Sequence, residues 1–504
     1  MTCRPRVSGL CAVTALCLLT LDAAGCAKSP PTLSPPASLD PLQQLGHDIT
    51  TATRAPGVQR AAWGIVAHSL DRNERLFELN PGTLLVPASA AKLISLASAA
   101  DAVGWDFRYD TTVRATAPVV DGVLRGDLLV VGSGDPSIDG RAGQPLARFV
   151  EALKARGLTR VDGRVIGDDD DVEEPRPQPA WAWDDLGYQT GALFGALNLG
   201  ENRMVVTVTP GPATSVVGSL SVAAAAASRP LRNRVVTGPP GSAPALWPEQ
   251  RPGEPYLTIA GSIPVGASPT RLTISVGNPT SFFATSLRRA LIAGGIDVTG
   301  EAYDVDEVTV SPDWQSAEAL YTHRSPTLAE IAQPLLKESI NLYGEAALRL
   351  NAPRTAVLTN DVALEGLRTR LAAWGVSPEA WHIVDGSGLS RRNAVAPEAF
   401  IAILQRMYDP SGTSPWMTGL PVAGRDGTLA GRMRGTPAEN NVRAKTGAMS
   451  NIRTLAGYVR TRDGEALAFV VMANSFEGTG ATATETIDRI AGRLATFSRR
   501  GSTR

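Results

Sequence analysis

Pro87-Ala88-Ser89-Ala90-Ala91-Lys92-Leu93-Ile94 opens a run rich in Ala and Leu that reaches Val103 and stops near Gly104. A proline at the start, good helix formers inside and a glycine at the end predict one helix over this span. Residues three apart share a helix face, so the Ser89 hydroxyl and the Lys92 amine can meet. Ser89 would also sit at the helix N-terminus, where the dipole favours developing negative charge. A serine becomes a nucleophile when a neighbour takes its proton, and a partly desolvated lysine can do that. The bland alternative is a serine cap on an ordinary helix. In a chain of this composition a Ser-x-x-Lys pair arises by chance about one time in three.

Lysine usage sharpens the reading. The chain has only five lysines, Lys28, Lys92, Lys154, Lys337 and Lys445, against 43 arginines. A lysine can lose its proton when its pKa is lowered, whereas arginine effectively cannot. Lys445-Thr446-Gly447 offers a cation, a hydroxyl donor and a residue that permits close backbone approach. Such a group suits a substrate carboxylate, and the preceding Val442-Arg443-Ala444 suggests a strand whose edge could align an extended peptide. Between these stretches lies Ser339-Ile340-Asn341. Its hydroxyl can relay a proton, and its amide can hold both a lysine and a peptide group. The four histidines, His47, His68, His323 and His382, sit in no motif with a nucleophile and at no metal-ligand spacing, so structural roles are expected.

Outward from these motifs, Trp63–Leu70 and Arg75–Leu79 read as two strands around a polar turn. From about 105 to 310 short Val-, Leu- and Thr-rich runs are punctuated by Gly and Pro, which predicts a β-rich middle. Helices return at Leu328–Leu350, with a break near Pro334, then at Asp361–Trp374 and Pro397–Tyr408. Ala466–Ala473 is a continuous apolar strand, and Thr482–Phe497 a closing helix. The acidic run Asp168–Asp171 lacks the alternation of a calcium loop and is expected to be a solvated loop.

Composition bounds the function. The 504 residues are 43% hydrophobic and 19% charged, with 48 Lys+Arg against 49 Asp+Glu, so a disordered chain is excluded and nucleic acid is not expected as a partner. No apolar run reaches the roughly 18 residues of a membrane-spanning helix. Arg4 and Arg6, the apolar stretch Leu10–Leu21 and then Ala23-Ala24-Gly25-Cys26 read as an export signal with a lipobox-like end, although Asp22 and Ala23 depart from the usual pattern. A membrane contact is expected only through a lipid on Cys26. All four cysteines, Cys3, Cys11, Cys17 and Cys26, lie in this segment, so no internal disulfide is expected.

The ordered set Ser89-x-x-Lys92, Ser339-x-Asn341 and Lys445-Thr446-Gly447 is one used by serine β-lactamases and penicillin-binding proteins. With Gly126–Pro136, Asp385-Gly386-Ser387-Gly388-Leu389-Ser390-Arg391 and Ala423–Leu429, the chain resembles the class C low-molecular-mass penicillin-binding proteins, the D-alanyl-D-alanine carboxypeptidase/endopeptidase family. That resemblance implies an α+β fold: a β-lactamase/transpeptidase-like catalytic domain, antiparallel sheet flanked by helices, interrupted by two inserted β-rich domains. The boundaries expected are 1–26 for the signal, 27–44 for a Pro-rich tether and 45–108 with 312–504 for the catalytic domain. One insert spans 109–133 with 215–311, and the second 134–214.

The resemblance further implies that Ser89 attacks the penultimate D-Ala carbonyl of a peptidoglycan stem peptide while Lys92 takes its proton. The backbone N–H groups of Ser89 and Ala448 would form the oxyanion hole. Ser339 would pass a proton to the leaving amine, and Asn341 would orient Lys92 and the substrate amide. Lys445, Thr446 and Gly447 would receive the terminal carboxylate. In Trp183-Asp184-Asp185-Leu186-Gly187, Asp185 is the candidate to meet a free amine of the stem. No cofactor or metal is implied, and β-lactam antibiotics would acylate Ser89. Two other readings use the same core: a serine β-lactamase or esterase, and a catalytically idle wall-binding protein.

Overall fold

The computed structural model describes residues 39–138, 140–141, 144–222, 229–309, 317–353 and 355–500. The segment read as an export signal, Cys26 and the expected tether up to 38 lie outside them. Helix α1 (Pro41–Thr53) begins inside the expected tether. Asp40 accepts from the Gln43 N–H at 2.9 Å while Gln43 reaches back to the Asp40 N–H, and this capping box starts the helix four residues early.

The catalytic sheet is wholly antiparallel. Its strands are β1 (Ala62–Ser69), β2 (Glu74–Leu79), β3 (Arg443–Met449), β4 (Ile452–Arg460) and β5 (Ala466–Asn474), in spatial order β2-β1-β5-β4-β3. Every residue of β5 is buried, as a continuous apolar run in a central strand requires. Its alternate side chains feed two cores. Phe469 and Val471 pack with α1 and α6 (Gly480–Ala495), whereas Ala468, Val470 and Met472 pack with α2 (Ala91–Val103) and α5 (Pro397–Met407). The sheet thus lies between two helical layers, as the α+β expectation required.

The chain leaves this layer after α2 and returns at α3 (Leu328–Lys337). The two crossings are strapped together: the Leu328 N–H donates to the Phe107 carbonyl at 2.8 Å and the Ser325 N–H to the Tyr109 carbonyl at 3.0 Å. The returning strand Glu318–Arg324 pairs antiparallel with Asp110–Ala115, so it belongs to the insert's sheet rather than to the catalytic segment where the sequence reading set it. Within the insert, Val165–Asp168 is hydrogen-bonded between Leu128–Val131 and Ala302–Asp304, and Arg203–Thr209 between Ser219–Val222 and Thr270–Ser275. The expected division at 134 and 214 cuts across both sheets, because sequence-distant strands pair here.

The acidic run also differs from its expectation. Asp168 ends an interior strand and, with Asp169, is buried. Thr280 Oγ1 donates to Asp169 Oδ2, and burial pushes the Asp169 carboxyl up to about 7. Among the described residues no group of three or more His, Cys, Asp or Glu is arranged to hold a metal, and no helix is long and apolar enough to cross a membrane.

Candidate active site

Ser89 sits in a single 3₁₀ turn, Ala88–Ala90, and the α-helix starts only at Ala91. Ala88 has φ 48°, a left-handed conformation that costs a non-glycine residue roughly 1 kcal/mol or more. No side chain caps α2, so the cap role that the sequence allowed for Ser89 is not taken up. Its hydroxyl is turned instead to Lys92, whose Nζ lies 2.9 Å from Ser89 Oγ.

Lys92 is wholly buried. Its Nζ also donates to Asn341 Oδ1 at 2.7 Å and to the Ser387 carbonyl at 2.6 Å. Those two partners can only accept, so they claim two N–H bonds whatever the charge state. The third position faces a hydroxyl, which can donate or accept. A neutral Lys92 therefore has its lone pair directed at Ser89. Burial drives the amine toward that state, pulling its pKa down to about 7 against the opposing pull of Asp385 and Glu345.

Ser339 and Asn341 reach the same place by a chain break. Pro334 lies inside α3 without ending it; the break falls at Glu338–Ile340, where Ser339 has φ 65°. Helix α4 (Asn341–Arg349) then starts in a new direction, which is why the single helix expected over Leu328–Leu350 is two. Ser339 Oγ accepts from Lys445 Nζ at 2.7 Å, and Lys445 also donates to the Thr446 carbonyl at 2.9 Å. Lys445 is wholly buried, and burial together with repulsion from Lys92 holds its pKa well below the usual lysine value. Thr446 Oγ1 donates to Thr428 Oγ1 at 2.8 Å. The Lys337–Asp426 ion pair, 2.7 Å, fixes the loop that carries Thr428 against the end of α3.

Ser89, Ser339, Asn341, Thr446 and Ala448 line one cleft of about 380 Å³, with Lys92 and Lys445 beneath its floor. The insert supplies the far wall through Asp185 and Thr190, and Asn341 Nδ2 donates to the Thr190 carbonyl at 2.8 Å. Asp185 is half-buried. Burial and the neighbouring Asp184 raise its pKa, while Arg391, which also lines the cleft, opposes them. Sequence reasoning gave no role to Arg391, Thr428 or the Ser387 carbonyl. Among the described residues no histidine lines the cleft; His68 hydrogen-bonds Asn73 and Gln405, and His323 stacks on Phe149.

Gly447 is the point where β3 touches the Ser89 turn. A Cβ there would stand 2.4 Å from the Pro87 carbonyl oxygen and 3.2 Å from Ala88 Cβ. Gly447→Ala is expected to push the turn away from the sheet at a cost of about 1–3 kcal/mol. Thermal melting should report the loss of stability, and a titration of active sites the displaced serine; a variant unchanged in both would show that the turn yields freely.

The D-Ala-D-Ala carboxypeptidase 3 (S13) family matches residues 45–496, which is nearly the whole chain. The chain belongs to that family. It is 34% identical over 470 residues to the D-alanyl-D-alanine carboxypeptidase of Actinomadura sp. (strain R39), covering 91% of this chain and 85% of the relative. It is 25% identical over 438 residues to D-alanyl-D-alanine carboxypeptidase DacB of Haemophilus influenzae, covering 82% and 85%. The crystal structure of penicillin binding protein 4 (dacB) from H. influenzae shares the fold, with a TM-score of 0.77 at 23% identity over 89% of this chain and 99% of that one. As a member of the S13 family the chain is a D-Ala-D-Ala carboxypeptidase, a hydrolase.

Proposed function

We propose that this carboxypeptidase works as a serine DD-peptidase, exported to the cell envelope, that cleaves D-Ala-D-Ala ends of peptidoglycan stems through an acyl-enzyme on Ser89. The observation that carries the reading is the buried Lys92 amine, 2.9 Å from Ser89 Oγ and with its other contacts taken by obligate acceptors. Ser89 Oγ bonds to the penultimate D-Ala carbonyl carbon as its proton passes to Lys92 Nζ. The N–H groups of Ser89 and Ala448 hold the oxyanion. The intermediate collapses, the C–N bond breaks, and Lys92 returns the proton it took, by way of Ser339, to the leaving amine of D-Ala, so that Lys92 is neutral again. Lys445 and Thr446 hold the departing carboxylate, whose charge favours the ammonium form of Lys445. Water, deprotonated by Lys92, then attacks the ester, releasing the shortened stem and regenerating the Ser89 hydroxyl.

A β-lactam presents the same carbonyl and carboxylate but keeps its leaving amine tethered, so Ser89 stays acylated. Release of D-Ala from a stem pentapeptide and intact-protein mass spectrometry with benzylpenicillin test the reading together. Turnover of the peptide with a lasting adduct supports it. Rapid penicillin hydrolysis without peptide turnover would replace it with a β-lactamase.

Endopeptidase action on crosslinked stems extends the same chemistry to a longer leaving group. Asp185 is the group proposed to meet a free stem amine, since its carboxylate lines the cleft among few other charges. Asp185→Asn should lower kcat/KM about tenfold on substrates bearing that amine and leave substrates lacking it nearly unchanged. Equal effects on both would remove Asp185 from the recognition site.

A further inference from the structure

The two acceptors of Lys92 that are not Ser89 are both fixed from one helix face. Asn341 and Glu345 lie four apart on α4; the first bonds Lys92 directly, and the second holds the loop that supplies the Ser387 carbonyl. Helix α2 meets that loop with two side chains a turn apart. Ser95 Oγ donates to the Gly386 carbonyl at 2.8 Å, and Lys92 Nζ to the Ser387 carbonyl at 2.6 Å. The opposite ends of the same two peptide units are held by carboxylates. The Ser387 N–H donates to Glu345 Oε1 at 2.8 Å, and the Gly388 N–H to Asp385 Oδ1 at 2.8 Å. The Gly386 N–H adds a bond to Glu345 Oε2 at 3.2 Å.

Both carboxylates are fully buried, and their remaining partners are donors. Arg349 lies 3.5 Å from Glu345, one turn along α4. Trp181 Nε1, from the insert, donates to Asp385 Oδ2 at 2.8 Å. The helix and loop approach without side chains between them: a Cβ on Gly386 would lie 2.2 Å from the Gly344 carbonyl oxygen, and one on Gly344 would lie 2.9 Å from the Gly386 oxygen. A wholly buried salt-bridged carboxylate whose oxygens are aimed at backbone N–H groups is a poor stabiliser of a fold by itself, because desolvation offsets the attraction. Here it has a geometric consequence.

We propose that Glu345 is a positioning residue of acylation: it fixes the Gly386–Ser387 backbone so that the Ser387 carbonyl takes one Lys92 N–H and leaves the amine lone pair to Ser89. The inference rests on the reading of Ser89 as nucleophile and Lys92 as base. The charged groups that face Lys92 are Glu345 and Asp385, which favour the ammonium, and Lys445, which disfavours it; Arg349 stands behind Glu345. Replacing Glu345 by an uncharged group of the same shape therefore does two things. It sets an amide N–H against a backbone N–H, loosening the loop, and it lets Lys92 shed its proton at lower pH.

The test is the rate of acylation by benzylpenicillin, read by intact-protein mass spectrometry between about pH 5 and 9. Wild type, Ser89→Ala, Glu345→Gln and Glu345→Asp are compared, each with its thermal melt. Glu345→Gln should acylate roughly 30- to 100-fold more slowly, with the acid limb of its pH profile moved to lower pH. Glu345→Asp keeps the charge and shortens the reach, so it should be about tenfold slower with the limb unmoved. A Glu345 that serves only the fold would lower the melting midpoint and the active fraction, leaving the rate and limb of the surviving fraction at wild-type values; that result overturns the proposal. Should Glu345→Gln fail to fold, a wild-type rate in Glu345→Asp overturns it equally. No acylation of the wild type would instead bring down the Ser89 reading and this inference with it.

Discussion

Ser89→Ala should abolish D-Ala release from stem peptides and the penicillin adduct together, with a fall of about 10⁴-fold or more in kcat/KM. The size follows from the role. Without Oγ no acyl-enzyme forms, and water reaching the cleft would have to attack without the entropy advantage of a fixed nucleophile. The cost to the fold should be small. Among the described residues the Ser89 hydroxyl has Lys92 as its one hydrogen-bond partner, so losing it leaves the Lys92 amine one contact short while the neighbouring packing is untouched. Residual binding is expected: Thr446 and the buried Lys445 remain to hold a carboxylate. The measurement is paired kinetics and intact mass on wild type and variant. A variant that kept more than a hundredth of wild-type turnover would move the nucleophile elsewhere, and among the described residues the only other hydroxyl so close to a buried lysine is Ser339, 2.7 Å from Lys445 Nζ.

The site was legible in the sequence where a local spacing carries it. Ser89 and Lys92 share a face because any helical turn brings residues three apart together, and the 3₁₀ turn at Ala88–Ala90 preserves that even though the α-helix begins later. The apolar run at Ala466–Ala473 announced a central strand for a similarly local reason. The break at Ser339 was misplaced toward Pro334, because proline is the visible helix breaker, whereas nothing in a serine's residue type announces the left-handed φ that Ser339 adopts where its hydroxyl meets Lys445. The Ser387 carbonyl could not be found this way. It is a backbone atom 295 residues from Lys92, and a carbonyl has no residue type to recognise. Asp168 and Asp169 failed for the opposite reason: their type says surface, and only the pairing of Val165–Asp168 in the middle of a sheet puts them inside. The sheets of the insert join strands far apart in sequence, so a division by position alone could not follow them.

The base should declare itself in the pH profile. With its pKa held at about 7, Lys92 is half neutral near neutrality, although an ordinary lysine would be almost wholly charged there. Acylation needs the neutral amine, so below pH 7 the rate should fall close to tenfold per pH unit, and above about pH 8 it should level off. The direction is fixed by chemistry: protonation of Lys92 fills the lone pair aimed at Ser89, and acid therefore inhibits. Histidine can produce a limb in the same range, so the profile needs a companion. Lys92→Arg keeps a cation and much of the length but cannot release a proton. It should lose about 10³-fold or more in acylation at every pH, with the limb gone rather than shifted. A histidine base would leave the limb in place in that variant, yet none lines the cleft among the described residues. The same burial that keeps Lys92 neutral enough to be ready also makes it vulnerable. Its amine has no water to turn to, so each of the acceptors at Asn341 and Ser387 must be present for the lone pair to point one way. Asn341→Ala should accordingly slow acylation by about 10²-fold without moving the limb far, since it removes a neutral acceptor and not a charge.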